Sequence, residues 1–444
     1  MLNLSTKSIL AMTIPIMMGT FIQNIVLITD SVLVNRLGTI DFDAANNAGL
    51  LYVCFFMILR GMGNGTQIQI AKEYGKHNLV DIKHTLSNSF FLQIIFGVVI
   101  FSFLFFFKDA LLNLIVKSNE IKMKMQGFLE YRSFGIFFAG MQVSLISFFI
   151  GIGRTRIIIV STLILAFSNI FLDFGLIFGM FGLPEMGLEG AALASTIAEG
   201  ITFLFLFSQL IFNGAFAEFK FAPLKEKIVT YKTRLLLKLS SPIMLSGFIA
   251  LCTWFVFFSL IEQIGPEALE ASHVVRNLFF LTFIPIFGFG SSIRTYVAYY
   301  QSKKDFKSVK IAIRKLIFLA VLIYLLIFHG AILYPKFMVQ LITKNANIVD
   351  TSAQILTIVF WSMLLYSVVN IFYNTVSALG KTVLALFIEI IAVTLYLTFT
   401  YLFIEIWKWD IVSIWYVEFV YFITLGTLSV GYLYYFNLKR LKHE

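Results

Sequence analysis

Four polar residues within long apolar stretches have the types and spacing of a cation-binding site. Asp30 lies in the first apolar stretch, Asn169 and Asp173 lie in the fifth, and Ser195 lies in the sixth. Asp30, Asp173 and Ser195 are each about five or six residues from the outer end of a predicted helix, so their depths agree within a turn. Two neighbouring carboxyl groups can share a proton, and oxygens of Asp, Asn and Ser also suit Na⁺. The alternative is that each residue only bonds a neighbouring helix.

Three further residues extend this pattern on the same helices. Glu199 is one turn from Ser195 and is either a counter-charge for a cationic substrate or a paired packing residue. Gln23 shares a helix face with Asp30. Pro15 lies inside the first helix, where its missing N–H allows a kink or hinge.

The remaining charged residues of the apolar stretches give weaker evidence of a functional role. Glu389 and Glu418 have no polar residue at a matching depth, which favours a structural role, and Arg60 and Arg276 are expected to pair with acids or to reach the interface. Gly380-Lys381-Thr382 ends like a phosphate-binding loop, but Thr375 stands where that loop requires Gly. These patterns predict neither an enzyme nor a bound cofactor.

The amino-acid composition indicates the environment that surrounds these residues. Of 444 residues, 59% are apolar and only 13% are charged, whereas a soluble domain carries about 25% charge. Apolar runs of about 20 residues predict an all-α polytopic membrane protein with twelve transmembrane helices. The predicted spans are 9–35, 46–68, 85–107, 128–150, 157–178, 189–212, 239–261, 272–297, 312–334, 353–377, 382–404 and 411–436.

The basic residues predict the orientation. With both termini on the cytoplasmic side, about two thirds of the Lys and Arg residues fall in cytoplasmic segments. The net charge of +10 is thereby explained without a nucleic-acid partner.

An internal repeat predicts the domain organisation. Pro15 recurs as Pro242, Gly61 as Gly288 and Gly153 as Gly380, at one offset of 227 residues. A six-helix unit repeated in the same orientation predicts two bundles related by a pseudo-two-fold axis along the membrane normal, with a cleft between them. We expect an N-lobe over residues 1–212, a cytoplasmic linker over 213–234 and a C-lobe over 235–444. This arrangement suits alternating access.

The motifs resemble the multidrug and toxic compound extrusion (MATE) family in their order and spacing. The resemblance rests on Thr29-Asp30-Ser31, Gly61-x-Gly63-x-Gly65-Thr66, Gly151-x-Gly153-Arg154-Thr155, Asn169-x-x-x-Asp173 and Pro184-x-x-Gly187-x-x-Gly190. The family implies export of organic, often cationic, compounds by H⁺ or Na⁺ antiport. In its DinF-like branch, the coupling ion's site maps onto Asp30, Asn169, Asp173 and Ser195, with Ser195 replacing a Thr. Gln23 corresponds to a cavity-lining residue, and Pro15 to a proline that bends on protonation.

The same resemblance implies a setting for the protein. We expect a monomer among membrane lipids, in a bacterial cytoplasmic (inner) membrane, with a small organic substrate. The first alternative is a flippase for lipid-linked sugars or lipids from the same superfamily, which would favour a basic cavity. The second is an intramembrane enzyme, for which the sequence offers no convergent catalytic set.

Overall fold

The computed structural model describes residues 2–219 and 228–441. The helices of the first half are α1 (Thr6–Asn35), α2 (Thr39–Gly75), α3 (Leu79–Phe105), α4 (Lys108–Ile115), α5 (Asn119–Arg132), α6 (Gly135–Gly151), α7 (Arg156–Phe178) and α8 (Gly187–Phe212). Those of the second half are α9 (Thr230–Glu262), α10 (Pro266–Ser302), α11 (Phe306–Phe328), α12 (Gly330–Leu333), α13 (Pro335–Gln340), α14 (Ala346–Ala378), α15 (Thr382–Tyr401), α16 (Ile411–Ile414) and α17 (Val417–Leu441). A π-helical turn, Leu402–Ile406, extends α15.

The expected all-helical membrane architecture is confirmed. Within the described residues, 11 helices are long and apolar enough to cross a membrane, and the number is 12 if the bent pair α5–α6 forms one span. Several helices begin with a side-chain N-cap. For example, the side chain of Asn78 accepts a hydrogen bond from the backbone N–H of Asp81 at the start of α3.

The fourth predicted span, 128–150, is not one straight helix. The chain bends by 50° between α5 and α6. The hydroxyl of Thr196 donates to the carbonyl oxygen of Tyr131 at 3.1 Å, and the backbone N–H of Ile136 bonds Ser133, only three residues earlier. A side chain that inserts into a helical hydrogen-bond ladder is a common cause of a kink, and apolar composition alone does not reveal it.

Backbone geometry confirms the repeat. Residues with positive φ, a conformation that few side chains favour, occur in four pairs at the predicted offset. The pairs are Gly38 and Gly265, His77 and Lys304, Gly153 and Gly380, and Phe181 and Lys408. The bent pair α5–α6 and the helix α14 also begin and end at equivalent positions, yet α14 is continuous. The two halves therefore share a backbone plan and differ at the bend.

The described chain forms two compact units, whose boundaries lie inside helices rather than in the linker. One unit is Ile14–Met244, and the other combines Met1–Thr13 with Leu245–Glu444. The unit boundaries lie close to Pro15 and Pro242. The expected lobes, 1–212 and 235–444, differ from these units by the first turns of α1 and α9.

Part of the expected linker, residues 220–227, lies outside the described residues. Lys232, also assigned to that linker, is instead helical and only 2% exposed. Its ammonium group bonds Glu73 and lies 3.2 Å from Asp81. A buried charge requires such partners, so the start of α9 is anchored to α2 and α3 within the first unit.

Candidate ion-coupling site

Asp30 on α1 and Asp173 on α7 form the centre of the candidate site. Their carboxyl groups lie within hydrogen-bonding reach of each other. Asp173 is fully buried, and Asp30 is partly buried. Among the described residues, no donor group forms a hydrogen bond with Oδ1 of Asp30 or with either carboxylate oxygen of Asp173. Two ionised carboxylates cannot donate to each other, so the pair needs a proton or another cation to bind favourably.

Asn169 and Ser195, the other two residues that the sequence suggested, contact each other. Asn169 lies one turn before Asp173 on α7, and its side-chain N–H donates to the Ser195 hydroxyl of α8 at 3.4 Å. Helices α7 and α8 pack closely along their length. The structure thus places two carboxylates, an amide and a hydroxyl around α1, α7 and α8. This donor set consists of hard oxygen ligands and fits a proton or Na⁺.

Glu199 has a partner that the sequence analysis missed. Arg132, the last residue of α5, donates from Nη1 and Nη2 to the two carboxylate oxygens of Glu199, at 2.8 and 2.5 Å. The guanidinium carbon lies 3.8 Å from the centre of the Tyr52 ring, and the Tyr52 hydroxyl donates to Glu199 at 3.4 Å. Glu199 is therefore engaged in an ion pair in this conformation.

One signal could have revealed this pair. An acid within a span requires a compensating group, and Arg132 falls inside the predicted fourth span. Burial of both side chains, 12% exposed for Arg132 and 16% for Glu199, makes the bidentate pair a substantial local interaction.

Gln23 and Pro15 lie on α1 but are not drawn into the same cluster. Gln23 is exposed, two turns before Asp30. Pro15 is buried, and α1 runs through it as one helix from Thr6 to Asn35. Their assigned roles in the substrate cavity and as a hinge stay predictions.

Glu389 and Glu418 each have a hydrogen-bond partner, which the comparison of residue depths in the sequence did not find. The Tyr421 hydroxyl of α17 donates to Glu389 of α15 at 2.5 Å, and the Tyr396 hydroxyl of α15 donates to Glu418 of α17 at 3.1 Å. Each helix thus supplies one acid and one tyrosine. Because a buried carboxyl needs a donor, this reciprocal arrangement fits a structural role in helix packing.

The second half has no counterpart of the candidate site at the repeat-related positions. Phe257 stands at the position of Asp30, Tyr396 at that of Asn169, and Thr400 at that of Asp173. Phe257 is fully buried against the rings of Tyr396 and Trp415. Aromatic packing occupies these positions, so the paired carboxylates belong to one repeat.

The 11 or 12 apolar spans of the described residues, arranged as two repeats with paired carboxylates in one of them, are typical of an integral membrane transporter. The MatE family matches residues 15–174 and 242–402, well over half of the chain. The second match begins at the repeat offset from the first. The chain therefore belongs to the MatE family, a family of multidrug efflux transporters rather than enzymes.

Known relatives and solved structures agree with this assignment. The probable multidrug resistance protein NorM of Thermotoga maritima is 25% identical over 350 residues, covering 78% of this chain and 74% of the relative. The probable multidrug resistance protein YoeA of Bacillus subtilis is 22% identical over 395 residues, covering 87% and 84%. A crystal structure of MATE in complex with MaL6 has a TM-score of 0.88 at 19% identity, covering 99% of this chain and 97% of that chain. This last similarity concerns the fold alone.

Proposed function

We propose that the protein is a secondary active antiporter that exports small organic compounds, cationic or amphipathic, in exchange for H⁺ or Na⁺ by alternating access. The coupling ion binds at Asp30, Asn169, Asp173 and Ser195. The substrate cavity includes Gln23. The protein works as a monomer of the DinF-like type in a bacterial cytoplasmic membrane, with both termini in the cytoplasm.

The observation that carries this proposal is the direct approach of Asp30 to Asp173. Without a cation, two carboxylates held together in an apolar environment repel each other. With a proton between them, one carboxyl donates to the other. Occupancy therefore changes the attraction between α1 and α7, and this change provides a physical link between ion binding and the position of α1.

The ion gradient across the membrane gives this link a direction. A cation that enters from the outside binds the carboxylate pair, draws α1 onto α7 and promotes release of the substrate outward. A charge that moves through the full membrane potential contributes about 2.3 kcal/mol per 100 mV. No cofactor is needed in this cycle.

A flux measurement tests the proposal. The purified full-length chain is reconstituted into proteoliposomes, and transport of ethidium, an organic cation, is driven by an imposed H⁺ or Na⁺ gradient. We expect gradient-dependent transport in the wild type and its loss in Asp30→Asn and Asp173→Asn. The matched control is Asp43→Asn, an acid at the start of α2 outside the candidate site. Wild-type coupled flux in both aspartate variants contradicts the site.

One observation favours the alternative, a flippase for lipid-linked sugars or lipids. Arg276 on α10 lies with its guanidinium carbon 5.0 Å from the centre of the Phe258 ring. Among the described residues, its Nε has no hydrogen-bond partner. A guanidinium in an apolar span suits a phosphate group of a substrate. Transport of a fluorescent lipid-linked pyrophosphate that Arg276→Gln abolishes, together with absence of ethidium flux, would favour this function.

A further inference from the structure

Helix α10 carries polar and aromatic side chains along one face. Their positions follow the spacing i, i+3, i+4 and i+7 of a single helical stripe, and they are His273, Arg276, Asn277 and Phe280. His273 and Arg276 are half-buried, whereas Asn277 and Phe280 are exposed. The stripe thus combines an imidazole, a guanidinium and an amide with an aromatic ring, and part of it is open to a bound molecule.

Helix α9 places aromatic rings against this stripe. The rings of Phe258 and His273 stack with their centres 5.2 Å apart and their planes 1° apart. The guanidinium carbon of Arg276 lies 5.0 Å from the centre of the same Phe258 ring. One turn earlier on α9, the Trp254 ring lies 5.6 Å from the ring of Phe280. Both basic side chains are therefore positioned by one ring of α9, next to a second pair of rings.

The basic groups of this cluster have hydrogen-bonding capacity that the described part of the chain does not use. Nε of Arg276 and Nδ1 of His273 are buried atoms without a hydrogen-bond partner among the described residues. Glu262, one turn beyond Phe258 on α9, is exposed at the end of that helix. Buried polar groups normally have a partner, and an unpaired charge in an apolar span is costly. A bound molecule that supplies acceptor oxygens would therefore interact favourably here.

The first repeat shows that the shared backbone plan does not depend on this cluster. At the repeat offset, Ser31 stands at the position of Phe258, and Gly49 stands at that of Arg276. The corresponding turns of α1 and α2 form without the aromatic ring and without the guanidinium. The cluster is thus a feature of the second repeat alone, which favours a role in binding over a role in folding.

The chemistry of the cluster suits an aromatic compound with an anionic oxygen group. A guanidinium stays charged, and its planar N–H donors match the oxygens of a carboxylate or a phosphate. The rings of Trp254 and Phe280 can stack against an aromatic system. Their apolar setting strengthens the attraction between opposite charges, because little water screens it. The same guanidinium repels a cationic group that approaches it.

We propose that Arg276, His273 and Phe258 form a substrate-recognition subsite for aromatic compounds that bear a carboxylate or phosphate group. Arg276 binds the anionic oxygens, His273 adds a second polar contact, and Phe258 holds both in place. The inference rests on the proposed export of small organic compounds and defines the class of its amphipathic substrates. It assigns recognition to residues outside the candidate ion-coupling site.

Binding of matched fluorescent probes tests this subsite. The probes are 1-pyrenebutyrate, the uncharged 1-pyrenebutanamide and a pyrene alkyl phosphate, and their affinities for the purified full-length chain are measured by fluorescence anisotropy. We expect the wild type to bind the carboxylate about tenfold more tightly than the amide, because a charge-assisted hydrogen bond is lost in the amide. Arg276→Gln should weaken carboxylate binding to the level of the amide and leave amide binding unchanged.

The phosphate probe distinguishes the two anionic groups. Binding tighter than that of 1-pyrenebutyrate assigns the subsite to phosphate esters, and weaker binding assigns it to carboxylates. Arg276→Lys keeps the charge but loses the planar donor pair, so the preference for the carboxylate should fall about threefold. His273→Gln should reduce this preference by a similar factor. These two variants carry the test if Arg276→Gln does not fold.

Arg314→Gln is the matched control, because it removes an exposed arginine of α11 outside the cluster. This variant should keep the wild-type preference for the carboxylate. Equal wild-type affinity for carboxylate and amide overturns the inference, and so does a preference that Arg276→Gln retains. Equal weakening of both probes by Arg276→Gln indicates a loss of packing and also overturns it.

Probe binding and transport can fail separately. Ion-driven ethidium transport by a protein without preference for the carboxylate refutes the subsite and leaves the proposed antiporter intact. Conversely, a preference that depends on Arg276, in a protein that transports neither ethidium nor 1-pyrenebutyrate along an imposed ion gradient, refutes the antiporter and leaves the subsite.

Discussion

Asn78 and Asp305 cap equivalent helices of the two repeats with the same contact. The side chain of Asn78 accepts a hydrogen bond from the backbone N–H of Asp81 at 3.0 Å, and that of Asp305 accepts one from the backbone N–H of Ser308 at 2.9 Å. Both follow a residue with positive φ, His77 and Lys304. The turn geometry is shared, whereas only the second cap carries a charge.

The charged cap predicts an acid-dependent contribution to stability. Hydrogen bonds from the Ser308 side chain and backbone lower the pKa of Asp305 below its ordinary value. A carboxyl with a lowered folded-state pKa contributes stability above its unfolded pKa and loses it as the pH falls through the folded pKa. We expect Asp305→Ala to cost about 1 kcal/mol near neutral pH and less in acid. Thermal unfolding of the detergent-solubilised chain across acidic and neutral pH measures both.

Asp305→Asn provides the matched control. The amide oxygen accepts the same backbone hydrogen bond, as Asn78 does in the first repeat, but it does not titrate. This variant should retain most of the stability and lose its acid dependence. An equal loss of stability in the Ala and Asn variants would show that the cap hydrogen bond is not the source of the stabilisation.

Gly135 tests the close packing at the bend. A methyl group at this position would meet the end of the Arg132 side chain, so Gly135→Ala should displace the guanidinium from Glu199 and destabilise the protein by about 1–3 kcal/mol. The thermal midpoint and the cation dependence are measured together. Gly200→Ala on α8 is the control, because its nearest neighbour, the Phe138 ring, is 3.6 Å away. Equal effects of the two substitutions would argue against a specific steric role.

Lys232 tests the buried ion pair that anchors α9. Lys232→Met leaves Glu73, 3% exposed, without its cationic partner, and we expect a loss of about 3–5 kcal/mol. Adding Glu73→Gln removes the unpaired charge and should restore most of the stability, as measured by thermal unfolding. Lys336→Met is the control, since its pair with Asp350 is largely exposed and should contribute little. A small effect of Lys232→Met alone would contradict the burial of an ion pair.

Asp173→Asn tests the repulsion within the carboxylate pair. The new amide can donate to Asp30, so the variant resembles the cation-bound state without needing a cation. In Na⁺-free alkaline buffer we expect it to be more stable than the wild type by about 1–3 kcal/mol, while coupled transport is lost. Ser195→Ala keeps both carboxylates and should show no such gain. A less stable Asp173→Asn protein would contradict the repulsion.

Local patterns in the sequence predicted the spans and the repeat for a physical reason. A bilayer requires about 20 apolar residues for each crossing, and a turn with positive φ restricts the residue types at fixed positions, as at Gly38 and Gly265. Both constraints act over short stretches. The same local scarcity of charge also singled out Asp30 and Asp173, because an unneeded carboxylate in hydrocarbon is costly.

The pairing of side chains from distant segments was decided by the tertiary structure. Arg132 and Glu199 meet because α5 ends in a bend that Thr196 helps to form, and Lys232 is buried because α9 starts against α2 and α3. Glu389 and Glu418 find their tyrosines only when α15 packs on α17. Each of these contacts depends on how helices far apart in the chain are oriented, a property that hydrophobicity and spacing within one helix do not contain.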